Sequence, residues 1–238
     1  MHDQADLSRA LQLARAGSNA AALKILEVLL VRAPDEPEVL QLIGMVLRSQ
    51  GKHTEAEQYL RRSLHAAPDR AHVHSNLGNL LAHQQRHAEA IECYRSALAI
   101  APDYTDAWFN LGTVALRTGD ANTARDALER VVTAQPGIGK AWAALGHAYR
   151  ALGNLDRSRH AYLQALRADA RNRGAHHGLA LLARQERELP TALQHIDRCL
   201  DLSSTDAEMH LSRGNILNDM GQHEAALSAS IWRSESVV

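Results

Sequence analysis

Residues 105–136 read TDAWFNLGTVALRTGDANTARDALERVVTAQP, and the positions of Trp108, Leu111, Gly112, Gly119, Ala124, Leu128 and Pro136 within that stretch decide the fold. Moving 34 residues at a time, the pair Leu111-Gly112 recurs as Leu77-Gly78 and Ile43-Gly44 in one direction and as Leu145-Gly146 in the other. The same count then reaches Leu179-Ala180 and Arg213-Gly214. Twelve residues beyond each pair lies a second column of small residues, Ala56, Ala90, Ala124, Ser158, Ala192 and Ala226, with Ala22 one period earlier. Prolines form a third column at Pro34, Pro68, Pro102 and Pro136, replaced in later units by Ala170 and Ser204. A fixed period of this length is the mark of stacked supersecondary units, each unable to bury its apolar face alone.

Each unit holds two amphipathic stretches, such as Ala71 to His83 and His87 to Ala99, with apolar residues at helical spacing and no alternation of period two. The turn between the two stretches carries Gly17, Gly51, Gly119, Gly153 or Gly221, suited to a left-handed helix C-cap. Gln85 and Arg187 stand in that column in the remaining units, where closure requires strain or another geometry. The predicted fold is therefore all-α, a solenoid of antiparallel helix pairs. The frame opens units near residues 3, 37, 71, 105, 139, 173 and 207, giving repeats over about 3–36, 37–70, 71–104, 105–138, 139–172, 173–206 and an incomplete 207–238 within one solenoid domain spanning 1–238.

With these columns in view, the chain resembles the tetratricopeptide repeat (TPR) proteins of bacterial type along essentially its whole length. The unit from Arg173 to Ser204 departs most from the pattern, lacking its Trp, Gly and Pro. The resemblance implies a right-handed superhelical array whose first helices line a concave groove for an extended peptide. It also implies that Asn just before the Leu-Gly pair holds the peptide backbone, and Asn76 and Asn110 stand there in adjacent units. An amide both donates and accepts, so such a ladder grips a main chain without reading its side chains.

Neighbouring stripes extend this candidate groove. Asn79, Thr113 and His147 follow the Leu-Gly pairs, Arg150 and Arg184 lie one turn further on, and Phe109 and His177 share a third stripe. Lys140, His147, Arg150, His177 and Arg184 make the later part of this wall basic, while Glu38 and Asp106 lie in the earlier part, a polarity suited to a ligand acidic at one end. The carboxylate clamp of the chaperone-binding TPR proteins is not supported, because Gln41, Ser75, Phe109 and Ala143 stand where its first lysine belongs.

Composition narrows the function classes. Lys plus Arg number 26 against 27 for Asp plus Glu, so no global field draws the chain to nucleic acid or an anionic membrane. The opening residues, Met1 to Asp6, are acidic where a signal peptide is basic and then apolar, and no apolar run is long enough to span a bilayer, which together suggest a cytoplasmic protein. Cys93 and Cys199 are too few and too far apart for a disulfide framework. Arg outnumbers Lys by 23 to 3, as in GC-rich bacterial sequences.

Fourteen histidines invite a metal hypothesis, but His74, His176 and His210 occupy the column of Trp108 and Trp142, which reads as packing between helices. His72 and His74 point to different faces, His83 and His87 straddle a turn, and no carboxylate or thiol completes a ligand set. Phosphate-cradling loops, nucleophile elbows and paired catalytic carboxylates are absent from the sequence. The expectation is a protein-binding scaffold with no catalytic residues, no metal and no cofactor. Two other readings stand beside it: a recognition arm preceding a glycosyltransferase, sulfotransferase or oxygenase domain, and a module that self-associates through its uncapped last unit, whose end from Ile231 to Val238 departs from the repeat.

The proposed register has a direct test. Ala90 occupies the small column facing a neighbouring helix, so Ala90→Leu is expected to destabilise the protein by roughly 1–3 kcal/mol through overpacking. An unchanged melting temperature for that variant contradicts the register.

Overall fold

A computed structural model describes residues 2–226. Its regular elements are helices: α1 (His2–Arg15), α2 (Asn19–Arg32), α3 (Pro37–Ser49), α4 (His53–Ala66), α5 (Ala71–His83), α6 (His87–Ile100), α7 (Thr105–Arg117), α8 (Ala121–Ala134), α9 (Gly139–Ala151), α10 (Leu155–Ala168), α11 (Arg173–Gln185), α12 (Leu189–Leu202) and α13 (Ala207–Asp219). Six of the first helices begin at Pro37, Ala71, Thr105, Gly139, Arg173 and Ala207, a spacing of 34 throughout. The segment from Ile231 to Val238, which departs from the repeat, lies outside the described residues.

The chain divides into two compact units, residues 1–114 and 115–238. In the first, α1 packs on α2, α3 on α4 and α5 on α6, with α2 against α3 and α4 against α5. In the second, α9 packs on α10 and α11 on α12, while α8 meets α9, α10 meets α11 and α12 meets α13. Both units are all-α solenoid segments built from antiparallel helix pairs, and α2, α4, α8, α10 and α12 each also touch the first helix that follows.

The pairs close on the two small columns. Ala22, Ala56, Ala90, Ala124, Ser158 and Ala192 have no exposed surface. The large residues four positions later, Leu26, Leu60, Tyr94, Leu128, Tyr162 and Ile196, are equally buried. A Cβ added at Gly44 would lie 2.8 Å from Leu60 Cγ, and one at Gly78 would lie 2.7 Å from the Tyr94 ring. In the second unit the Tyr162 ring blocks a Cβ at both Gly146 and Gly178, so one phenol is held between its own repeat and the next. Where a glycine faces it, the large column meets the glycine of its own unit, and Tyr162 reaches onward to Gly178 as well. Ser158, the exception in the small column, donates its hydroxyl to the Gly146 carbonyl at 2.8 Å and so keeps its polar atom paired.

Every turn inside a pair has one geometry. At α3, the Gly51 N–H bonds to the Arg48 carbonyl and the Lys52 N–H to Leu47, the Schellman arrangement that needs a left-handed residue. Gly51 has φ 77°, and Gln85 and Arg187 adopt φ 64° and 66° in the same column. The alternative of a different closure there is corrected: Gln85 and Arg187 make the same two bonds, to Ala82 and Arg184, with Arg86 and Glu188 bonding to Leu81 and Ala183. The helix-ending bonds are retained, and the backbone of an L-residue carries the strain.

The turns between pairs, apart from the one before α3 where Leu40 holds the column, are closed by a hydrogen bond from a ring expected only to pack between helices. The Trp108 and Trp142 indole N–H groups donate to the carbonyls of Pro102 and Pro136, both at 2.8 Å. His74, His176 and His210 set Nε2 against the carbonyls of Pro68, Ala170 and Ser204 at 2.9, 3.2 and 2.7 Å. Tryptophan and histidine interchange in this column because each presents a ring N–H to the carbonyl six residues earlier.

The left-handed turn generates a prediction. Arg187 is exposed, so Arg187→Gly removes a strained φ with little lost contact and should raise the unfolding free energy by up to about 1 kcal/mol. A lower denaturation midpoint for this variant contradicts the assignment of strain to that residue.

Candidate functional site

The candidate stripes lie on the first helices, α5 and α7 in one unit and α9 and α11 in the other. Asn79 Oδ1 accepts the Tyr94 hydroxyl at 2.8 Å and the Asn110 amide at 2.9 Å. The amide ladder therefore runs from Asn110 to Asn79, one turn beyond Asn76, and is anchored on a buried phenol. Asn76 is half-buried beside it. The network consumes the Asn79 carbonyl and leaves the Asn79 NH2 group and the Asn110 carbonyl without a partner among the described residues, one donor and one acceptor. That is the pair of groups an extended main chain offers in return.

Other stripe residues of this unit are spent internally. Thr113 donates its hydroxyl to the Phe109 carbonyl at 2.8 Å within α7. Its methyl and the half-buried Phe109 ring are what remain to offer a ligand. Glu38 pairs with Arg70 at 3.3 Å, and the Gln41 carbonyl lies 2.8 Å from His72 Nε2.

In the second unit, Tyr162 Oη lies 3.0 Å from His147 Nδ1, and the rings meet edge to face with centroids 5.3 Å apart. With the imidazole neutral, the tautomer that carries its proton on Nε2 lets the phenol donate to Nδ1. Burial pushes His147 down to about 4, and the Arg150 guanidinium and His177 add to the shift. The same burial raises the Tyr162 hydroxyl, against the opposing pull of Arg150. His177 is also held low, by burial and by Arg150 and Arg173, against Glu208 and Asp206, which favour its charged form. His147, Arg150, Tyr162 and His177 thus form one electrostatic neighbourhood.

The expected basic wall is weaker than its sequence suggests. Arg184 donates to Asp219 at 2.6 Å, and that bond holds the Asp219 carboxyl below its usual range. Arg173 pairs with Asp206 and Arg213 with Asp197. Arg150 is exposed, and no acidic side chain among the described residues pairs with it. The ion pairs join residues 16 to 35 positions apart, so a stripe read along single helices could not reveal them.

Two contacts had no sequence signal. His176 Nδ1 lies 3.1 Å from His195 Nδ1 across α11 and α12, and the His53 and His83 rings lie 4.7 Å apart. Among the described residues, no three His, Cys, Asp or Glu side chains converge on one point.

The His147 environment makes stability depend on pH. The native state holds His147 neutral well below its ordinary value of 6.5, so the unfolded chain binds the proton first. Stability is fully present above about 6.5 and falls as pH drops toward 4. His147→Asn keeps an acceptor for Tyr162 without a titrating group, and its urea midpoint should fall less over that interval, by roughly 1–2 kcal/mol of unfolding free energy. Parallel pH profiles for the two proteins would show that His147 does not titrate as its burial requires.

Comparison with known proteins agrees with this architecture. A family described as the cilia and flagella-associated protein 70 middle TPR-like domain matches residues 40–169, more than half of the chain, and a tetratricopeptide repeat family matches residues 143–207. No curated protein matches the chain. Among solved structures, a TPR protein from Parabacteroides merdae superposes with a TM-score of 0.75 at 17% identity, covering 98% of this chain and 92% of that one. PilF of Pseudomonas aeruginosa gives 0.77 at 17% identity over 91% of this chain and 97% of its own. YrrB, a TPR protein described as having an unusual peptide-binding site, gives 0.67 at 17% identity over 75% and 92%. At such identities the structural likeness is one of fold. On the strength of the family match and the repeat columns, this chain belongs to the tetratricopeptide repeat family.

Proposed function

We propose that the chain is a non-catalytic scaffold that holds an extended segment of a partner protein along its first helices. The observation that carries this reading is the Asn79–Asn110 pair, fixed by the Tyr94 hydroxyl, which leaves one amide donor and one carbonyl acceptor for a ligand main chain. Such contacts are individually weak, so affinity comes from their number along an extended segment and from the preorganisation of each amide. The peptide-binding site named for YrrB supports the reading by analogy of fold. Arg150 supplies a cation in the second unit, and His147 and His177 beside it remain neutral near neutral pH, so a segment held on that unit's own first helices carries an acidic residue.

Peptides selected against the intact protein from a random display library test both parts. Asn110→Ala should weaken the selected peptides about tenfold, as should N-methylation of the peptide backbone opposite it, because either removes a directional hydrogen bond from a preorganised site. Arg150→Glu should weaken only those with an acidic residue. Selected peptides whose affinity ignores Asn110→Ala and backbone methylation would place binding elsewhere on the molecule.

A further inference from the structure

The flank of α9 that faces α8 and α10 carries a second concave feature, a cavity of about 500 Å3 wholly within the second unit. Its lining joins the buried apolar Val132, Leu145 and Ala161 to the Trp142, Tyr149 and His160 rings. Trp142 commits its only polar atom to Pro136 and meets His160 edge-on at 6.4 Å, so what it offers a ligand is π surface.

One residue lining the cavity breaks the repeat. The column of Tyr149 otherwise holds Leu13, Leu47, Leu81, Ala115, Ala183 and Leu217, all aliphatic. Tyr149 donates its hydroxyl to Glu129, and burial together with the Glu129 carboxylate raises the phenol against the opposing pull of Arg157. Asp156 stands at the rim without an ion-pair partner among the described residues, and nearby Arg159 is committed to Glu186. The Arg157 guanidinium already lies 5.7 Å from the centre of the Tyr149 ring, which shows the ring accepting a cation. Carboxylates outnumber guanidinium two to one around the opening.

We infer that this cavity takes the cationic side chain of a lysine or arginine from a protein partner, seated on Trp142 and Tyr149 with its charge toward Asp156 and Glu129. Aromatic faces with an acidic rim favour a cation over a neutral side chain of the same shape. Arg157 acts as a resident competitor that an incoming cation displaces from Tyr149. This surface is independent of the stripes proposed to hold an extended segment, since those use His147 and Arg150 on another flank of α9.

The repeat supplies the substitutions for a test. Tyr149→Leu restores the residue found at positions 47 and 81, Asp156→Asn the residue at 122, and Arg157→Thr the residue at 123 and 191, so each is compatible with the fold, which circular dichroism verifies. The probes are Nα-acetyl-arginine amide, its neutral isostere Nα-acetyl-citrulline amide, and Nα-acetyl-glutamate amide, titrated while following the Trp142 indole N–H by NMR. The arginine probe should bind about tenfold more tightly than the citrulline probe. Tyr149→Leu and Asp156→Asn should each remove most of that preference, and Arg157→Thr should strengthen binding several-fold. Equal affinity for the citrulline probe, preference for the glutamate probe, or no shift of the Trp142 signal with any of them overturns the proposal.

Discussion

The structure rests on the close approach of paired helices where one carries almost no side chain. At Gly78 and Gly146 a single added Cβ would stand 2.7 and 2.5 Å from the facing tyrosine ring, closer than carbon atoms can come. Glycine inside a helix costs about 1 kcal/mol relative to alanine, and its recurrence shows that the ring packing more than offsets this. Everything else follows from the spacing. The short turn closes in one left-handed geometry, the next helix starts at a fixed offset, and from α5 onward the ring N–H of a Trp or His secures the return.

That constraint also explains how function can be distributed. Once small and large columns are assigned, the remaining positions of each helix are free to vary, and the chain uses them differently in its two units. The first carries a neutral amide network on a buried phenol. The second carries a half-buried imidazole on a buried phenol with an arginine beside it. Tyr94 and Tyr162 occupy one column, so the same structural residue serves as the anchor for two different chemistries. The Tyr149 cavity belongs to the same logic, since an aromatic ring in an otherwise aliphatic column forms part of its lining.

The repeat, the helix boundaries and the small-residue columns were legible in the sequence because each reflects a local, periodic requirement. Gln85 and Arg187 could be identified as departures, but not resolved, because whether the backbone or the turn type yields depends on the bonds made by neighbouring residues. The site was legible only in part. Asn79 and Asn110 belong to different stripes, and their pairing depends on how adjacent helices stagger. Arg184 reads as a free cation along α11 until Asp219 is brought to it by folding, and Tyr149 is conspicuous only once its column is compared across repeats.

The most direct measurement of the central claim is a double-mutant cycle by chemical denaturation on Gly78 and Tyr94. In the wild-type background Gly78→Ala should destabilise, despite alanine's better helix propensity, because its methyl group meets the Tyr94 ring. With Tyr94 replaced by alanine the same substitution should become neutral or stabilising by up to about 1 kcal/mol. A Gly78→Ala change that stabilises the wild-type protein, or that costs the same in both backgrounds, would contradict the account.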